Sequence, residues 1–259
     1  MPIWNADTYL KFECERTQPS IDLAARVELK APRTIVDLGC GPGNSTAVVG
    51  RRWPGATITG VDTSPDMLAA ARKTYPQWNW LEGDIGTWKA APAEPVDLLF
   101  SNAAFQWVPD HARLLPRLFA QVAAGGALAF QVPANYHHGA HSIIREVAAS
   151  AEWRGCFPNG AREWQAQTAP FYYDVLAPLC ARLDLWETSY LHVLDEPEAI
   201  TEWYRGTGLR PWLDLLPGKA EHDRFLANVT ARFAEAYPRR ADGRVLFPFL
   251  RLFAIAYAR

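Results

Sequence analysis

Three glycines, a proline and an aspartate fall within VDLGCGPGNST (36–46), immediately after a short apolar run. Glycine at 39, 41 and 43 lets the backbone turn sharply and approach a ligand with no Cβ in the way. The chemistry on offer is therefore that of a backbone cradle. Its spacing disfavours two familiar cradles. A dinucleotide fingerprint wants a third glycine five residues after the first, where Asn44 stands, and a phosphate loop wants a Gly-Lys-Ser/Thr that does not follow. Asp37, just ahead of the glycines, would repel a pyrophosphate and attract a cation. The loop predicts a ligand that carries positive charge.

The next segments add constraints. TITGVD ends in Asp62, nineteen residues after Gly43. A carboxylate there accepts two hydrogen bonds from a ribose diol, which nicotinamide and adenosine cofactors both present. Met67, five residues on, either covers an adenine face or is a core residue at helical spacing. EGDI sets Asp84 and Ile85 at the end of a third strand, suited to the edge and the ring of an adenine. SNAAFQW places the small Ala103 and Ala104 where a reactive group must enter.

In this order and spacing, VDLGCGPGNST, GVDTSPDML, EGDI and SNAAFQW resemble the successive motifs of class I S-adenosylmethionine-dependent methyltransferases. The resemblance implies S-adenosylmethionine as cofactor, S-adenosylhomocysteine as product and no metal. It implies that Gly39, Cys40, Gly41 and Asn44 pack against the methionine part, with a sulfonium making Asp37 tolerable beside them. Asp62 would hold the ribose, Asp84 and Ile85 the adenine, and Asn102 with Ala103, after strand four, would complete the cofactor-binding set. WNADTYLKFECERTQP, RWPGATITGVDTSPDMLAAAR, NAAFQWVPDH and TGLRPWL further resemble members of the family that esterify one carboxylate of a small tricarboxylate, so the likeness spans nearly the whole chain.

That chemistry suits the residues. Methyl transfer from a sulfonium is an in-line displacement that requires collinear positioning and exclusion of water. A carboxylate nucleophile, with an ordinary pKa of roughly 4, is already ionised and needs no general base. Its spectator carboxylates need clamps, for which the guanidinium fork is best shaped. Arg16, Arg205 and Arg210 are the candidates, with Tyr9, Tyr172 and Trp107 as pocket walls or hydroxyl donors. His137 and His138 open an insertion; His138 is either an anion contact or base, or part of a cap. Methylation of a phenol or carbon acid would require such a base. The GxGxG spacing argues against a nicotinamide oxidoreductase, and the Ala103–Ala104 floor against a non-catalytic sensor of adenosine cofactors.

The elements that must position these residues follow from periodicity. Over the first 145 or so residues, short β-rich runs alternate with helical patterns, the signature of βαβ units and a parallel sheet. Strands are expected at 34–38, 57–62, 78–82, 96–101 and 127–132, and helices at 44–53, 65–75 and 110–123. Ser64 before Pro65 and Asp110 before HARLLPRLFAQVA read as N-caps, with Gly125 and Gly126 as a helix stop. The expected fold is α/β, a Rossmann-like seven-stranded sheet of five parallel strands plus a C-terminal antiparallel hairpin, with helices on both faces. The second hairpin strand should break at Pro248. One methyltransferase domain over 1–259 would hold a cofactor core at 30–133, cap insertions at 134–170 and 196–237, and an N-terminal segment at 1–29 covering the site.

The 259 residues are 49% hydrophobic and carry a formal net charge of −2 without a block of like charges, so no footprint for nucleic acid or an anionic membrane is visible. The first residues contain no apolar leader and no run approaches a membrane span, which predicts a cytoplasmic protein. Four scattered cysteines suit reduced thiols. The expected partner is a small polycarboxylate, for a monomer or a homodimer.

Overall fold

The computed structural model describes residues 13–90, 95–136, 139–162 and 164–259. Strands β1 (Thr34–Leu38), β2 (Thr57–Asp62), β3 (Asn79–Glu82), β4 (Val96–Asn102) and β5 (Val122–Pro133) pair in parallel. Strand β7 (Val245–Tyr257) lies antiparallel to β5, and β6 (Arg182–Leu194) follows it, giving the order β3-β2-β1-β4-β5-β7-β6. Strands β2 and β4 flank β1 on opposite sides, so the chain order reverses there and a crevice opens beyond the carboxyl ends of these strands.

The helices are α1 (Glu13–Arg26), α2 (Asn44–Arg52), α3 (Pro65–Thr74), α4 (His111–Phe119), α5 (Ala140–Ala148), α6 (Ala169–Leu176), α7 (Glu198–Arg205), α8 (Arg210–Leu213) and α9 (Lys219–Ala236). Both expected caps form: Ser64 accepts from the Met67 amide at 3.4 Å, and Asp110 accepts from the Arg113 amide at 3.3 Å. Strands β1 and β4 are buried along nearly their whole length, as central parallel strands covered on both faces must be.

Two expectations need correction. Gly125 and Gly126 do not stop a helix: α4 ends at Phe119, and both glycines lie inside β5. The register there jumps from Val96↔Val122 to Leu98↔Ala127, and Gly125, at φ 73°, supplies the positive dihedral that the bulge needs. Pro248 does not break β7, because the pairing with β5 runs only from Tyr257 to Arg251 and asks for no donor at 248.

The chain forms two compact units. The first contains the described residues up to Ala134 together with Gln165–Thr188 and Arg251–Arg259; the second contains Asn135–Trp164 and Ser189–Leu250. In the first, Leu38, Leu99, Leu128 and Phe130 of the sheet pack with Phe105, Leu115 and Tyr172. The second is held by aromatic rings, with Tyr204 and Phe247 at 5.9 Å, Trp203 and Phe249 at 5.6 Å and Trp153 and Phe225 at 5.2 Å between centroids.

Candidate active site

The glycine loop leaves β1 and enters α2. Its three glycines have φ of 76°, 55° and 97° at 39, 41 and 43. The Gly39 and Cys40 amides both donate to the Val61 carbonyl, at 2.7 and 3.1 Å, tying the turn to the end of β2. The glycines differ in what they face. A Cβ on Gly39 would lie 2.2 Å from the Ala104 Cβ, and one on Gly43 would lie 2.8 Å from the rings of Trp80 and Tyr75. At Gly41 nothing lies within 4 Å. Two glycines serve close packing, and the third borders open space in which a ligand can meet bare backbone.

Two carboxylates bracket that turn. Asp37 is fully buried; its Oδ2 accepts from Ser45 Oγ at 2.7 Å and Thr46 Oγ1 at 2.6 Å. Its Oδ1 has no partner among the described residues. Burial pushes the Asp37 carboxyl up to about 6, the two hydroxyls pull it back, and the nearby Asp62 charge raises it further. Asp62 Oδ2 accepts from the Gly41 amide and its Oδ1 from the Ser64 amide, both at 2.9 Å. Its carboxyl is raised by burial and lowered by these amides. An orphaned buried oxygen beside a second carboxylate makes a place for a cation. Cys40 is buried and its thiol is pushed well above the usual range by desolvation and by both aspartates, so it packs as an inert SH. Asn44 opens α2, half-buried.

Asp84 is exposed and its Oδ1 accepts from the Gly86 amide at 2.7 Å, while Ile85 is buried. Arg117, which the sequence reading passes over, holds this loop by donating to the Ile85 carbonyl at 2.6 Å and to the Trp88 carbonyl. Met67 is buried on α3. At the exit of β4, Ala103 adopts φ 54°, a left-handed conformation uncommon outside glycine. It is pinned there because its amide donates to the Gln131 carbonyl at 3.1 Å and its carbonyl accepts from Gln106 Nε2 at 2.6 Å. Trp107, half-buried, closes the 3-10 turn Phe105–Trp107 that follows.

Tyr172 sits in the core of the first unit, not on a pocket wall. Its hydroxyl lies 2.9 Å from His111 Nδ1 and accepts from the Gln167 amide at 3.0 Å. The other His111 nitrogen, Nε2, faces the Phe105 carbonyl at 2.9 Å and must be its N–H, so Nδ1 accepts from the tyrosine. Burial lowers the His111 pKa and keeps the ring neutral. This pair anchors the β4 exit to α4 and α6. His111 ends the NAAFQWVPDH motif, but a histidine directly after an N-cap gives no sign of burial.

Arg16 on α1 is a buried cation in the first unit. In the second unit, Arg205 is largely exposed and pairs with Glu202 at 3.1 Å, whereas Arg210 is more enclosed and lies 3.8 Å from Asp214. That unit has a small cleft, with room for only about 10 Å³, lined by Tyr136, His141, Arg145, Arg162, Trp164 and Trp212. Gly208 of TGLRPWL borders it, and a Cβ there would lie 2.7 Å from the His141 ring. Tyr9 and His138 lie outside the described residues. Among the described residues no three His, Cys, Asp or Glu side chains gather as metal ligands, and no helix is long and apolar enough to cross a membrane.

A glycine turn at the reversal point of a 3-2-1-4-5-7-6 sheet, followed by an acid at the end of β2, defines a class I methyltransferase. The fold is shared by the YcgJ protein of Bacillus subtilis (TM-score 0.61, 11% identity, 93% of this chain and 99% of that one). It is shared too by phosphoethanolamine N-methyltransferase 2 of Haemonchus contortus (TM-score 0.58, 15% identity), where 93% of this chain covers 53% of the other. Residues 35–126 match a methyltransferase domain model. Trans-aconitate 2-methyltransferases of Azoarcus sp. strain BH72 and Rhodopseudomonas palustris strain BisB5 are each 49% identical, over 256 and 257 residues, covering 99% of both chains. The chain belongs to the trans-aconitate 2-methyltransferase family.

Proposed function

We propose that this protein is an S-adenosylmethionine-dependent O-methyltransferase that forms the monomethyl ester of trans-aconitate. The substrate follows from the relatives, which carry that activity in their names over 99% of the chain. The observation that carries the cofactor is the buried, half-satisfied Asp37 carboxylate just ahead of the glycine turn.

When bound, S-adenosylmethionine supplies a methyl group on a sulfonium; the carboxylate oxygen forms the new C–O bond while the C–S pair stays on sulfur. The protein's part is to bind, orient and exclude water. Asp37 and Asp62 offer negative potential to the cationic end, and the backbone at Gly41 offers close approach. Asp62 also has lone pairs left for a ribose diol, Asp84 and Ile85 border the adenine, and Met67 backs the site from α3. Small Ala103 and Ala104 leave room for the transferred group, with Trp107 beside them.

Within the first unit His111 supplies no general base, which supports a nucleophile that needs none. Both of its ring nitrogens are committed, so it has no free site from which to take a proton. A nucleophile that is already ionised needs none. Of the arginines that the sequence offers as clamps, Arg16 is the one in this unit, and its guanidinium fork is assigned to a spectator carboxylate. The partner is a free small molecule, with neither nucleic acid nor membrane. The test is incubation with radiolabelled cofactor and a panel of polycarboxylates: a labelled ester that alkali hydrolyses is expected from trans-aconitate, and a panel without ester overturns the reading.

A further inference from the structure

Arg251 is a guanidinium with 3% exposure, and Gln131, wholly buried, stands between it and Asn102. The sheet register puts them together. Asn102 pairs with Gln131 across β4 and β5, Gln131 pairs with Phe253 across β5 and β7, and Arg251 is two residues from Phe253. The three side chains therefore share one face, with Arg251 the diagonal neighbour of Gln131. Arg251 opposes Pro133, the last residue of β5, so the chain runs along the carboxyl edge of the parallel strands, where the cofactor turn also lies.

The hydrogen bonds along this row have a fixed direction. A guanidinium has donors and no acceptor. Arg251 Nη1 donates to Gln131 Oε1 at 3.2 Å, so the Gln131 amide nitrogen must face away from it. That nitrogen donates to Asn102 Oδ1 at 2.6 Å, which commits the Asn102 oxygen. What remains is Asn102 Nδ2, which has no hydrogen-bond partner among the described residues and is not sealed from solvent. It stands directly before Ala103, at the exit of β4.

We propose that Arg251 and Gln131 form a positioning relay that holds the Asn102 amide with its NH2 outward, as a donor to a carboxylate oxygen of the substrate. The assignment rests on the reading of the substrate as a polycarboxylate. Arg251 and Gln131 are positioning residues, and Asn102 is the contact. A relay is required because an isolated asparagine amide can turn over and present its oxygen, which would repel a carboxylate, whereas a donor-only cation at the far end forbids the flip.

Gln131→Glu tests the relay with almost no change in shape. Its carboxylate pairs with Arg251 directly, keeping the buried charge satisfied, but it can only accept from Asn102, so the Asn102 amide must turn and show its oxygen. Expected is a rise in KM for trans-aconitate of at least tenfold, with S-adenosylhomocysteine affinity within twofold and no fall in melting temperature. Asn102→Asp keeps the acceptor that Gln131 needs and removes the outward donors by a second route, so it must give the same split. Arg251→Lys, still donor-only, is expected to retain KM within about threefold. A folded Gln131→Glu or Asn102→Asp protein with wild-type KM overturns the relay, as does a loss that falls on S-adenosylhomocysteine affinity alone. A wild-type protein that esterifies no polycarboxylate instead overturns the proposed function and takes this assignment with it.

Discussion

Asp37→Asn isolates the charge just ahead of the glycine turn. The amide oxygen can still accept from Ser45 and Thr46, so the hydrogen bonds at Oδ2 survive while the negative charge goes. In the ligand-free protein the Asp37 carboxyl is raised from 3.8 to about 6, chiefly by burial. Because the folded value lies above the unfolded one, its contribution favours folding below pH 3.8 and is lost as pH rises to about 6. The full loss is roughly 3 kcal/mol, of which about half develops between pH 5 and 7.5. The Asn variant has no such slope, and any cost of its extra NH2 is independent of pH. The gap in melting temperature between variant and wild type should therefore move in the variant's favour by roughly 3–6 °C from pH 5 to 7.5. Binding runs the other way. A cationic ligand holds Asp37 ionised, so wild-type affinity for S-adenosylhomocysteine, with its ammonium, should rise about tenfold over the same range. The variant should bind on the order of 10- to 100-fold more weakly at pH 7.5 and lack the slope. Scanning calorimetry and isothermal titration at the two pH values read both effects. Parallel melting profiles and equal affinities would refute the assignment of Asp37 to the cation.

The glycines give a paired contrast. Gly41→Ala meets no atom within 4 Å and should cost only about 1–2 kcal/mol of stability, for its positive φ, yet weaken cofactor binding strongly; Gly39→Ala, 2.2 Å from Ala104, should lose the fold first, as denaturant titration will show. Tyr172→Phe removes a hydroxyl that serves both His111 and the Gln167 amide and should cost roughly 1–3 kcal/mol, measured by urea unfolding. The lowered pKa of His111 favours folding above about 6.5 and loses that contribution as pH falls, so replacing His111 with Leu should flatten this part of the acid limb. Arg205→Ala breaks only an exposed pair with Glu202 and should leave KM unchanged and stability within about 0.5 kcal/mol, whereas Arg16→Ala should raise KM for trans-aconitate at least tenfold in steady-state assays.

The sequence alone set the order of the elements and the chemistry of the cofactor end. Local signals carry both: short β-rich apolar runs made strands, Ser64 and Asp110 placed helix starts, and the glycine spacing with Asp37 and Asp62 pointed to a ligand with positive charge and a ribose diol. Packing settled what has no local signal. The register of β4, β5 and β7 brings Asn102, Gln131 and Arg251, far apart along the chain, onto one face of the sheet. The same kind of closure hides Tyr172 against His111 and puts Gly125 in a bulge that reads in the sequence as a helix stop. Residue types and short spacings decide what a segment can do. Which donors remain for a ligand depends on which partners the folded neighbours have already taken, and only the tertiary structure decides that.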